Sequence, residues 1–135
     1  MRSFYIKILI ITSLTFQAFS CSHLGKNEVA KVKFELYGDF GAEQSELTIF
    51  ETDGNKKARL ITKGVGSSEI IFGDKEEQAF NKFLSSIKGV SKQTNYCTTE
   101  QHCSVYTNDE TIEKKSIDCS WEGFWELKTA LFKAD

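Results

Sequence analysis

The chain of 135 residues contains no proline, and nothing functional is read from that. Its other absences say more. There are only two histidines, His23 and His102, far apart in sequence. No serine-centred nucleophile motif, no glycine-rich phosphate loop and no helix carrying paired metal ligands occurs. Catalysis by any of those routes therefore has no sequence support, and no cofactor or metal is expected. Charge of one sign is not concentrated either: 17 Lys and Arg stand against 19 Asp and Glu, with the signs interspersed. Without a basic stripe, no nucleic-acid partner is expected. Blocks of like charge and low-complexity runs are missing too, so nothing points to disorder. Long apolar runs are equally scarce. The best, Ile8-Leu9-Ile10-Ile11 with Leu14 and Phe16, is interrupted by Thr12, Ser13 and Thr15. It is too short for a lasting transmembrane anchor.

What that stretch does contain is the pattern of an export signal. Arg2 and Lys7 give a positive start, the apolar run follows, and Ala18-Phe19-Ser20-Cys21 closes it with small residues. Ala18-Phe19-Ser20 satisfies the small-x-small rule for ordinary signal peptidase, which would leave Cys21 as an unmodified first residue. The tetrapeptide Ala18-Phe19-Ser20-Cys21 also resembles the lipobox of bacterial lipoproteins. The resemblance implies that Cys21 is lipidated with acyl chains such as palmitate and becomes the mature N-terminus. It further implies a membrane-anchored protein, with Ser22 directing it to the outer membrane, facing the periplasm or the cell surface. A multi-chain anchor is physically sensible, because one acyl chain alone binds a bilayer only marginally.

The expected organisation is a signal peptide over 1–20, a lipidated tether over 21–28 and a single domain over 29–135. Setting aside Arg2 and Lys7 leaves 15 basic residues against 19 acidic ones, a mature charge near −4. A domain of about 105–110 residues has room for one hydrophobic core.

Cys97, Cys103 and Cys119 remain once Cys21 is set aside. In an oxidising compartment a disulfide is the default outcome. Asn108-Asp109 tolerates turn conformations between two apparent strands, Ser104–Thr107 and Glu110–Ser116. If Thr107 faces Glu110, the ladder sets Thr98 opposite Cys119 and Cys103 opposite Lys114. The expected bridge is therefore Cys97–Cys119 with Cys103 spare. Cys97–Cys103 is the alternative, since a single bulge would shift the register. Zinc held by His102 and the three cysteines matches no common ligand spacing, and a Cys103 nucleophile assisted by His102 has nothing else to mark it.

Lys31–Leu36 alternates, placing Val32, Phe34 and Leu36 on one face of a strand; Gly38–Ala42 reads as a loop. Glu46–Thr52 and Asn55–Thr62 flank Asp53-Gly54, a type I′ hairpin signal. That register sets Leu47 opposite Leu60, Ile49 opposite Ala58 and Thr48 opposite Arg59. Lys63–Gly66 follows as a flexible link, and Glu69–Phe72 as a short strand. Asp74 with Glu77 forms a capping-box-like start to a helix whose Phe80, Phe83, Leu84 and Ile87 share one face. Gly89 stops it. Val90–Tyr96 reads as one more strand, and Ser120 as the cap of a final helix, Trp121–Lys133.

Projected as a helix, that last segment gathers Trp121, Phe124, Trp125, Leu127, Lys128, Leu131 and Phe132 into an arc of roughly 160°. This is wider than one packed seam needs. Either the helix is deeply seated, with Lys128 snorkelling or paired, or the Trp121, Trp125 and Phe132 edge stays exposed as a partner-binding anchor.

The fold class expected is α+β: an antiparallel sheet of five to six strands with two amphipathic helices on one face. The function expected is that of a small non-enzymatic envelope lipoprotein binding a protein or small ligand, inhibitor and immunity-type proteins included. The alternatives are an exported hydrolase or redox enzyme using Cys103 and His102 or dispersed carboxylates, and a purely structural envelope protein.

Overall fold

The computed structural model describes residues 24–39, 41–94 and 96–133. The expected signal peptide and Cys21 lie outside the described residues. Eight elements follow in order: β1 (Glu28–Gly38), β2 (Gly41–Thr52), β3 (Asn55–Thr62), β4 (Gly66–Ile71), α1 (Asp74–Gly89), β5 (Thr99–Thr107), β6 (Thr111–Ile117) and α2 (Gly123–Phe132). The class is α+β. One six-stranded sheet runs in the order β4-β3-β2-β1-β5-β6, with every neighbouring pair antiparallel.

Alternation along the strands builds the core. Val32 sits between Leu47 and Val105, and Phe34 between Ser45 and Cys103, all on the face toward the helices. From α1 come Phe80, Phe83 and Ile87, and from α2 Phe124, Leu127 and Leu131. Phe124 stacks on Phe34 with ring centroids 4.3 Å apart. Each large side chain so enclosed contributes about 1.5–3 kcal/mol relative to exposure.

The β2–β3 hairpin has the register expected from its pairing pattern: Leu47 opposite Leu60, Thr48 opposite Arg59, Ile49 opposite Ala58. Asp53 (φ 52°) and Gly54 (φ 77°) supply the two left-handed residues that a type I′ turn demands. Several boundaries differ from expectation. The loop expected over 38–42 is shorter, because β1 and β2 stay paired as far as Gly38 and Gly41. β4 starts at Gly66 rather than Glu69. At α1, Gly73 rather than Asp74 occupies the N-cap. Glu76, not Glu77, reaches back, accepting the Gly73 N–H at 3.1 Å. Among the described residues of 90–96 there is no strand, only a single bridge, Lys92 to Ile117.

The second hairpin follows the expected register from Tyr106/Thr111 to Cys103/Lys114, then slips by one residue so that Gln101 faces Ile117. The bridge survives the slip: Cys97 and Cys119 are disulfide-bonded, their Cα atoms 5.9 Å apart. It ties the segment after α1 to the entry of α2.

Candidate interaction surface

The expected anchor edge depends on how the chain enters α2. Asp118 takes control of that entry. Its carboxylate accepts the Ser120 N–H at 2.9 Å and the Ser120 hydroxyl at 2.7 Å, while its carbonyl accepts the Trp121 N–H at 3.0 Å. Ser120 is thereby spent on a turn instead of capping the helix, and α2 begins at Gly123. These same bonds hold the Asp118 carboxyl below its usual range, the Ser120 hydroxyl being the larger cause.

Trp121 therefore lies outside the helix expected over Trp121–Lys133, and the exposed-edge alternative does not hold for it. Its indole turns inward, 9 % exposed, donating from Nε1 to Ser86 Oγ of α1 at 2.8 Å. The ring lies across Gly123, which has no Cβ to obstruct it. Trp125 and Phe132 remain half-buried. Trp125 meets Phe34 edge-on at 5.1 Å and also lines the groove between α1 and α2. That groove is open and has a volume of about 890 Å³. Ala79, Ala130 and Leu131 supply apolar lining, and charges of both signs stand around it, among them Lys75, Lys82, Glu122 and Glu126. Lys128, the charge inside the expected arc, pairs with Glu43 at 3.9 Å.

The cysteine–histidine pair does not assemble. Strand alternation sends Cys103 into the core, 1 % exposed, and His102 to the opposite, open face of the sheet. Burial pushes the Cys103 thiol up to about 12, so it holds its proton at neutral pH.

On the open face, pairing of β1 with β5 assembles a polar cluster that local sequence does not announce. Glu35 stands opposite His102, and Tyr37 opposite Glu100. Glu100 Oε1 lies 2.9 Å from His102 Nε2 and accepts the Ser116 hydroxyl at 2.8 Å. These contacts, His102 first, lower the Glu100 carboxyl. Tyr37 donates to Glu35 at 2.8 Å, a bond that raises the phenol. Glu100 sits between Ser116 and His102, so the imidazole is not placed to take the serine's proton. Among the described residues, no group of three or more His, Cys, Asp or Glu could hold a metal ion, and no helix is long and apolar enough to cross a membrane.

No protein-family model, curated protein or solved structure matches the chain.

Proposed function

We propose that this chain is an exported envelope lipoprotein, tethered through Cys21, that binds a segment of another protein between its two helices without catalysing a reaction. The carrying observation is Trp125, half-buried beside Phe34 and lining the groove between α1 and α2. An aromatic held rigid on one side and open on the other suits an interface anchor. The apolar lining with charges of both signs favours a segment presenting an apolar side chain flanked by charged ones. Inhibitor and immunity-type proteins fall within this reading. The address rests on the signal pattern of residues 1–21, and the Cys97–Cys119 disulfide supports an oxidising compartment. Ser22, by resemblance to the lipoproteins, directs the protein to the outer membrane.

Two measurements test this. Intact mass of the protein from its membrane fraction should show a chain beginning at Cys21 with added acyl groups; an unmodified cysteine there would refute the anchor. A photo-crosslinker at Thr129, which lines the groove, should give one discrete adduct in cells, lost when Ala130→Arg fills the cleft. The same crosslinker at Thr48, on the open sheet face, should not. No adduct at Thr129, or one indifferent to Ala130→Arg, would refute the groove as the binding site.

A further inference from the structure

The two edges of the sheet are built differently. At the β6 edge, Glu113-Lys114-Lys115 supplies charge, the register slips, and Lys92 bridges to Ile117. These devices blunt strand-to-strand association. The β4 edge has neither the run of charges, the slip nor the bridge. Gly66-Ser67-Ser68-Glu69-Ile70-Ile71 keeps one register over its length, carries one charge and has no strand on its outer side among the described residues.

The hydrogen-bond phase of that edge follows from its inner partner. The Phe72 N–H donates to Lys56 of the β2–β3 hairpin, and the ladder continues with Ile70 opposite Ala58 and Ser68 opposite Leu60. In an antiparallel pair such groups alternate in direction. The backbone groups of Phe72, Ile70 and Ser68 thus point inward to the hairpin. Those of Ser67, Glu69 and Ile71 present their N–H and C=O to the outside.

We propose that β4 pairs antiparallel with β4 of a second copy of this chain, extending both sheets into one. The outward groups admit four central registers, of which the one centred on Ile70 sets Glu69 against Ile71 of the second copy and leaves Val65 uncovered. A second sets Glu69 against its own copy, placing like charges directly opposite. Another sets Ser67 against its copy and Ile71 against Lys63. The register centred on Ser68 sets Ser67 against Glu69 of the second copy and runs Ile71 alongside Val65, the turn residue just before β4 of the second copy, twice over. Ile71 is 76 % exposed and Val65 83 %, two of the most exposed large apolar side chains among the described residues. This register keeps the two Glu69 carboxylates apart, leaves each paired with Arg59 at 3.1 Å, and covers the aliphatic pair. A second copy is thus the occupant that the edge complements. The pairing is independent of the groove and of the tether.

A six-residue strand pair is small beside the roughly 1,200–2,000 Å² of a stable interface, so the dimer forms with rising concentration. The test uses the full chain in mild detergent, in the Cys21→Ser background so that residue 21 contributes no thiol. In the favoured register, Ser68 faces its own copy in a non-hydrogen-bonded pair with Cα atoms about 4.5 Å apart, within the range of a disulfide. Under mild oxidation Ser68→Cys should form a covalent dimer at least about tenfold faster than Ser67→Cys or Glu69→Cys, whose own copies lie two positions away along the strand. Sedimentation should show mass rising toward that of a dimer between about 10 µM and 1 mM, and Ile71→Lys should abolish the rise. Mass that stays monomeric across that range would overturn the proposal. So would equal crosslinking at the three positions, or a dimer that survives Ile71→Lys.

Discussion

The indole of Trp121 covers Gly123 so closely that a Cβ added there would lie 2.5 Å from the ring. This contact, at the first residue of α2, decides where a large aromatic side chain goes. Helix propensity alone would favour Gly123→Ala by about 1 kcal/mol. The steric demand runs the other way: overpacking a filled site typically costs about 1–3 kcal/mol. Gly123→Ala should therefore lower the urea midpoint. A raised midpoint would mean that the ring can step aside without loss.

Ser86 holds the other end of the same indole, accepting its N–H at 2.8 Å. Ser86→Ala should destabilise the fold by about 1–3 kcal/mol, the cost of leaving a largely buried donor unpaired. Equilibrium unfolding reads this directly, and Trp fluorescence should report a changed indole environment in the folded variant.

The Cys97–Cys119 bridge closes a loop of sequence separation 22. Chain-entropy arguments assign such a loop about 3 kcal/mol. Cys97→Ala with Cys119→Ala should lose roughly that amount in denaturant unfolding, and reductant should then have no further effect on the variant.

Cys103 should resist alkylation at pH 8 in the folded protein and react on unfolding, because burial raises its thiol to about 12. The sign for stability follows. An unfolded thiol ionises before the folded one, so this group's contribution is complete below the ordinary thiol range and falls as pH climbs toward 12. Thiol counting with and without denaturant checks the first point, and alkaline unfolding of Cys103→Ala against the parent checks the second.

Asp118 gives the opposite pH dependence. Its carboxyl is lowered by the Ser120 hydroxyl and N–H, so its stabilising effect is present at neutral pH. That effect is lost as pH falls below the ordinary carboxylate range, through the lowered folded value. Asp118→Asn should flatten part of the acid dependence of thermal unfolding between about pH 5 and 2. An unchanged acid profile would show that the Asp118 turn does not discriminate between charge states.

Much of the fold was legible because its signals are local. Alternation marked Val32 and Phe34 as inward, Asp53-Gly54 set the β2–β3 register, and the turn at Asn108-Asp109 brought Cys97 near Cys119. The helix face of Phe80, Phe83 and Ile87 was readable from its spacing. The α2 entry was not, because Ser120 had two competing uses. As a cap it would have extended the helix through Trp121; as a partner of Asp118 it stops the helix short. Local propensity does not rank those outcomes, whereas the space over Gly123 and the acceptor on Ser86 do.

The sequence by itself determined the periodicities, the turns and the pairing of near neighbours, since each depends on residues a few positions apart. Only the tertiary structure decided that β1 lies between β2 and β5, bringing Glu35 and Tyr37 beside His102 and Glu100. It also decided that Trp121 faces inward and that β4 ends the sheet. Strand order and side-chain enclosure depend on which distant surfaces exclude water from one another, and no short window of residues contains that information.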